Sequence, residues 1–194
     1  MAKVKGPLCG FDARGKLANS LVFMGWKGIS TVRQHVIPAN PKTDAQVAQR
    51  GFMSAAVALW HATSWNDLDV AAWDLFATVQ AKVMSGFNAF MKFCVDALKV
   101  PETFLPPYAA DFSGVTTTAG TITMSLASDQ TTTFYWGTSK TTMLRSTLGV
   151  WGASVITFTL SANTASTTYY GYALNAAADE KGRTGIYKFT TPAS

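Results

Sequence analysis

VIPANPKTDAQVAQR, residues 36–50, decides how the chain is built. Pro38 and Pro41 fix their own φ, and proline pushes the residue before it, here Asn40, toward extended conformations. The first half of the stretch is therefore predicted to be a stiff, extended arm. Thr43-Asp44-Ala45-Gln46 then reads as a capping box, with the Thr43 hydroxyl accepting the amide of residue 46 and Gln46 reaching back. Asp44 falls in the first turn, where a carboxylate suits the helix dipole. An arm thus turns directly into a helix at Thr43.

On the N-terminal side, GKLANSLVFMGWKGISTVRQHVIP alternates short apolar runs with glycine. Leu21, Phe23 and Gly25 point one way, and Val22, Met24 and Trp26 the other. Two strands joined by a turn near Gly25–Gly28 fit best, the second running from Ile29 to Ile37. Charge concentrates in the same region. Residues 1–51 hold eight basic residues against Asp12 and Asp44, a net of +6, whereas the remainder holds eight basic against nine acidic, a net of −1. The basic residues stand singly and define no phosphate groove, so docking on an acidic protein surface is favoured over nucleic acid.

On the C-terminal side the period changes. Val47, Phe52, Met53, Ala56, Leu59 and Trp60 recur at helical steps and stop near Thr63. Asn66 can cap a second helix with Asp67 and Asp69 in its first turn, and a third begins near Ser85. Trp60, Trp65, Trp73, Phe76, Phe87, Phe90 and Phe93 supply an aromatic core. VPETFLPPYAAD, residues 100–111, reads as a linker, since proline resists both helix and sheet. Beyond it GTITMSLA, TTFYWGTS, SVITFTLS, TTYYGYALN and TGIYKFTT each read as a strand. About seven short strands with regular turn signals indicate a β-sandwich.

The expected class is therefore α+β. Residues 1–42 form a basic β-hairpin arm, 43–100 a helical domain, 101–110 a proline-rich linker and 111–194 a sandwich. Only 14% of residues are charged, below the usual quarter or so, as suits a chain that covers surface with neighbours. Cys9 and Cys94 are far apart, form no metal-ligand pattern and read as free thiols. The start has no apolar core of signal-peptide length, and no run reaches the ~18–20 apolar residues of a membrane span. The expectation is a chain made in the cytoplasm, with no membrane partner.

Gly15, Lys16, Asn19, Val22, Val32, Arg33, Asn40, Pro41, Lys42, Thr43, Gln46 and Arg50, with SGFNAFMK at 85–92, resemble the motif of a family of small proteins. These come from bacteriophages, prophages and Bacteroidetes genomes (DUF6266-like). The resemblance spans roughly the first half of the chain and implies a phage-type structural protein, not a mechanism. Gly51 departs from it, standing where a better helix former is usual. Separately, Tyr169–Leu174, the NAAADEKGRTG loop and IYKFTT, ending in Thr190-Thr191-Pro192, resemble the last hairpin of a fibronectin type III or immunoglobulin-like domain.

The histidines, His35 and His61, have no partner residues that make a catalytic arrangement, and capping explains Asp67, Asp69 and Asp74. No phosphate-binding glycine loop is present. The reading is a non-enzymatic virion protein without cofactor or metal, most simply a capsid decoration or stabilising protein. Its N-terminal half would anchor it, through Lys16, Asn19, Trp26, Arg33, Asn40, Pro41, Thr43, Gln46 and Arg50, and its sandwich would project. Its partners would be capsid or tail subunits and copies of itself. The alternatives are a tail or fibre-base protein, or a module binding host glycan through Trp136, Trp151 and Tyr170, with Tyr135 beside them. A nucleic-acid partner ranks last.

Overall fold

The computed structural model describes residues 2–3, 14–40, 42–80, 83–100, 104–175 and 182–193. Cys9, Pro41, residues 101–103 of the proline run and residues 176–181 before the final strand lie outside these. The chain divides into two units, Met1–Thr43 and Asp44–Ser194.

In the first unit Lys27 and Gly28 both have positive φ, 50° and 78°. That is the demand of a two-residue type I′ turn, which glycine meets without a Cβ clash. The turn joins β3 (Leu21–Trp26) to β4 (Ile29–Gln34), in a register that runs from Trp26↔Ile29 to Leu21↔Gln34. The hairpin expected from the sequence is present and is the centre of something larger. β1 (Ala2–Lys3) pairs with β4 and β2 (Gly15–Leu17) with β3, giving the antiparallel order β1-β4-β3-β2.

The second unit is mixed helix and sheet, so the α+β class holds. α1 (Asp44–Ala62), α2 (Asp67–Val79) and α3 (Gly86–Lys99) start and stop close to where capping residues place them. Asn66 and Asp69 form a full capping box on α2, and the Ser85 side chain accepts the Asn88 amide at the head of α3. The aromatic stripe is a core, as expected. Trp73, Phe76 and Phe90 are buried, with Trp73 and Phe90 edge to face at a centroid distance of 5.5 Å. Phe87, also assigned to that core, is exposed.

The strands of this unit build two four-stranded antiparallel sheets. One has the order β5-β6-β10-β9, from β5 (Tyr108–Val115), β6 (Gly120–Ser125), β9 (Val150–Gly152) and β10 (Val155–Leu160). The other has the order β12-β11-β7-β8, from β7 (Thr132–Gly137), β8 (Arg145–Leu148), β11 (Thr168–Asn175) and β12 (Tyr187–Thr190). Alternate residues of both meet in one core, Ile122, Met124, Ile156 and Phe158 against Phe134, Trp136, Tyr169 and Phe189.

The described part of the segment read as a linker, from Phe104 on, is packed. Phe104 is buried in the helical core, with Pro106 and Pro107 buried after it, and β5 begins at Tyr108. Helices and sheets are also bound to each other. Gly185 lies so close to α2 that a Cβ there would sit 2.4 Å from the Ala72 carbonyl carbon, and the next amide, Ile186, donates to the Ala72 carbonyl oxygen at 2.9 Å. The Arg183 guanidinium lies over Phe76 of α2 at 4.5 Å and over Tyr172 of β11 at 3.9 Å.

Candidate functional site

Directly opposed residues of an antiparallel pair share a face. The register Lys16↔Val22↔Arg33 therefore sets a row across β2, β3 and β4, and Met24↔Thr31 and Trp26↔Ile29 continue the same face. That face carries Trp26, Ile29, Met24 and Val22, the last flanked by the cations Lys16 and Arg33. Trp26 is 54% exposed and Ile29 44%. Among the described residues of this unit only Thr31 is buried, its hydroxyl donating to the Met24 carbonyl at 3.0 Å. Val36 and Ile37, after β4, are exposed as well. A sheet of this size normally gains its stability from an apolar face that is covered. Covering one such side chain stabilises by about 1.5–3 kcal/mol.

Of the residues chosen from the sequence, Lys16, Trp26 and Arg33 come together on this face. Asn19 sits exposed in the β2–β3 turn, and Asn40 and Thr43 are exposed beyond β4. Gln46 and Arg50 are exposed on α1 of the second unit, and Pro41 lies outside the described residues. Thr43 immediately precedes α1, the N-cap position.

α1 departs from expectation in its burial. Ala56 is its one buried residue among those described, and Val47, Met53 and Val57 are exposed. Met53 with Met91 and Val95 of α3 lines a shallow groove of about 320 Å³. Asp69, read from the sequence as a cap, does more. Its side chain is fully buried and accepts four hydrogen bonds. Oδ2 takes the amides of Asn66 (3.0 Å) and Ala109 (2.7 Å), and Oδ1 takes the Ala110 amide (3.3 Å) and the Tyr187 hydroxyl (2.8 Å). Ala109 has φ 52°, and this turns two successive amides onto one carboxylate. Burial and the adjacent Asp69 carboxylate push the Tyr187 hydroxyl well above its ordinary value. The arrangement is a structural joint between α2, β5 and β12.

The aromatic residues proposed to face a glycan do not converge. Trp136 is buried in the core and its indole N–H donates to Asn163 Oδ1 at 3.2 Å, so it offers no ring to a sugar. Tyr170 is on the opposite face of that sheet, packed against the helical cluster with the Lys140 ammonium over its ring, and Trp151 is in the other sheet. The half-buried pair on this outer face is Tyr135 with Tyr172, stacked at 5.3 Å. His35 lies after β4 in the first unit and His61 on α1 in the second. Cys94 is free and buried, and burial pushes its thiol up to about 11. Among the described residues no group of three or more His, Cys, Asp or Glu could hold a metal ion, and no helix is long and apolar enough to cross a membrane.

A family model described as a family of unknown function (DUF6266) matches residues 13–147. No curated protein is significantly similar to the chain. Among solved structures, a myokine structure is similar over 46% of this chain and 99% of its own, at 14% identity and a TM-score of 0.36. The sensor domain of the anti-sigma factor RsgI4 from Pseudobacteroides cellulosolvens, in solution, is similar over 46% of this chain and 74% of its own, at 13% identity and a TM-score of 0.33. Likenesses this distant carry no functional meaning.

Proposed function

This chain belongs to DUF6266, a family of unknown function, and from that premise we propose that it is a non-enzymatic assembly subunit. The setting implied by its sequence motif is a bacteriophage virion, where it acts as a capsid decoration or stabilising protein. The N-terminal sheet anchors it to neighbouring subunits and the sheet-rich unit is the part displayed. One observation carries the reading: a single sheet face holds the exposed apolar side chains of Trp26 and Ile29 together with the exposed cations Lys16 and Arg33. Trp, Arg and Met are the residue types enriched where protein interfaces bury surface.

The displayed part is an immunoglobulin or fibronectin III-like sandwich in this reading. Its strand orders, β5-β6-β10-β9 and β12-β11-β7-β8, correspond to A-B-E-D and G-F-C-C′ of that architecture. Trp136 stands buried on the third strand, where such domains keep a tryptophan. Near the start of β11 the Tyr169 hydroxyl accepts the Thr164 amide at 2.9 Å, which is the tyrosine corner of the class.

The test is the mass of the full chain in solution by light scattering, across concentration, with limited proteolysis. A closed oligomer weakened by Trp26→Ala supports the reading, as does a monomer whose first forty or so residues are cleaved until a particle partner is added. A monomer whose N-terminal residues resist protease overturns it.

A further inference from the structure

A cleft of about 190 Å³ opens at the loop end of the β7–β8 hairpin, walled by Trp136 and Tyr169 and rimmed by Thr138, Thr142, Leu144 and Arg145. Arg145 is the one charged residue in that lining. Among the described residues no carboxylate pairs with it. Its contacts are a long hydrogen bond from Nη1 to Asn163 Oδ1 at 3.4 Å and the face of Tyr169 at 5.6 Å. A guanidinium has five N–H donors in a planar fork, so most of this one is unspent.

Asn163 is 6% exposed, and its Oδ1 is shared by Trp136 and Arg145, two residues of the cleft. Its Nδ2 is buried with no hydrogen-bond partner among the described residues. A buried donor left unsatisfied costs about 1–3 kcal/mol. Burial alone would raise the Tyr169 hydroxyl, but hydrogen bonds with Thr164 and Arg145, and last the charge of Arg145, outweigh it and hold the group below its ordinary value.

We propose that this cleft binds a small monocarboxylate, seated on the guanidinium fork of Arg145. The hydroxyls of Thr138 and Thr142 are within the rim to take further polar atoms, and Leu144, 89% exposed, meets the carbon body. The planar fork offers two parallel N–H donors, the geometry that receives a carboxylate. The volume is below the ~300–1,000 Å³ of drug-sized pockets and suits one sugar or amino-acid unit. The site is independent of the assembly face.

The experiment is an amide-resolved NMR titration of the full chain with glucuronate, N-acetylglycine and inorganic phosphate, at constant ionic strength in chloride. The expected result is saturable shifts at Gly137, Thr138 and Thr142 with at least one carboxylate. Tighter glucuronate binding assigns the site to sugar acids, and tighter N-acetylglycine binding to peptide termini. Arg145→Gln should weaken binding about tenfold or more. Arg145→Lys, which keeps the charge and loses the fork, should weaken it too, and decides the matter if the glutamine variant does not fold. No saturable response to either carboxylate, affinity unchanged in the folded variant, or phosphate bound more tightly than both would overturn the assignment.

Discussion

Replacing Asp69 by asparagine should destabilise the second unit by about 2–4 kcal/mol, although the change is nearly isosteric. The carboxylate accepts from Asn66, Ala109, Ala110 and Tyr187. An asparagine keeps one acceptor oxygen. Its best placement leaves that oxygen toward the Asn66 and Ala109 amides and turns the NH2 toward Tyr187, whose hydroxyl can reverse and accept. The Ala110 amide is then orphaned, at about 1–3 kcal/mol, and the three surviving bonds lose their charge assistance. Relief of the buried charge offsets part of this. Asp69→Ala, with no acceptor at all, should cost more, and Tyr187→Phe, which removes one charge-assisted bond, about 1.5–3 kcal/mol. Urea unfolding at pH 7 followed by tryptophan fluorescence reads the changes, with the slope held constant as a check on two-state behaviour. Hydrogen exchange should show the Ala110 amide losing protection first. An asparagine variant within 0.5 kcal/mol of wild type, at about the scatter of an ordinary surface substitution, refutes the view that this carboxylate joins helix to sheet.

Gly185→Ala should cost about 2–3 kcal/mol in the same assay, because the new Cβ meets rigid backbone at Ala72 and Trp73. Gly152→Ala, with nothing within 4 Å of the Cβ, should stay within about 0.5 kcal/mol. The raised Cys94 thiol sets an alkaline limit. Between pH 9 and 11 an unfolded thiol has lost its proton while the folded one keeps it, so stability should fall by about 2–3 kcal/mol across that window. Cys94→Ala should flatten the profile between pH 9 and 10, and the raised Tyr187 hydroxyl should continue the decline above pH 10. Denaturation midpoints at closely spaced pH values check both, and a flat wild-type profile would refute the assignment.

The sequence reveals most where a signal is local. The Lys27-Gly28 turn, the Asn66 cap, the Ser85 start and the aromatic period of α2 and α3 are each complete within a few residues. What it hides depends on distant chain. Asn66 and Asp69 announce a capping box, but nothing near them says that Ala109, Ala110 and Tyr187 supply the other donors. The proline run at 101–107 has no period, so Phe104, Pro106 and Pro107 read as linker although they are buried. Alternation in Phe134-Tyr135-Trp136 shows two faces without saying which is inner, and so a core tryptophan passes in the sequence for a candidate sugar platform. The Arg145 cleft joins β8 to Asn163, 18 residues on, with no motif to mark it.

The joint at Asp69 also constrains how the protein can fold during synthesis. The two ends of its Tyr187 hydrogen bond are 118 residues apart. At roughly 5–20 residues per second, α2 emerges from a ribosome several seconds before β12 exists. Through that interval its buried carboxylate lacks one of its donors, and the face of α2 that receives Gly185 has no cover. The helices and sheets therefore cannot be finished in the order in which they are made. The second unit should mature in one late step, after Tyr187 has been made, and a nascent chain stalled before Tyr187 should present this helix to chaperones.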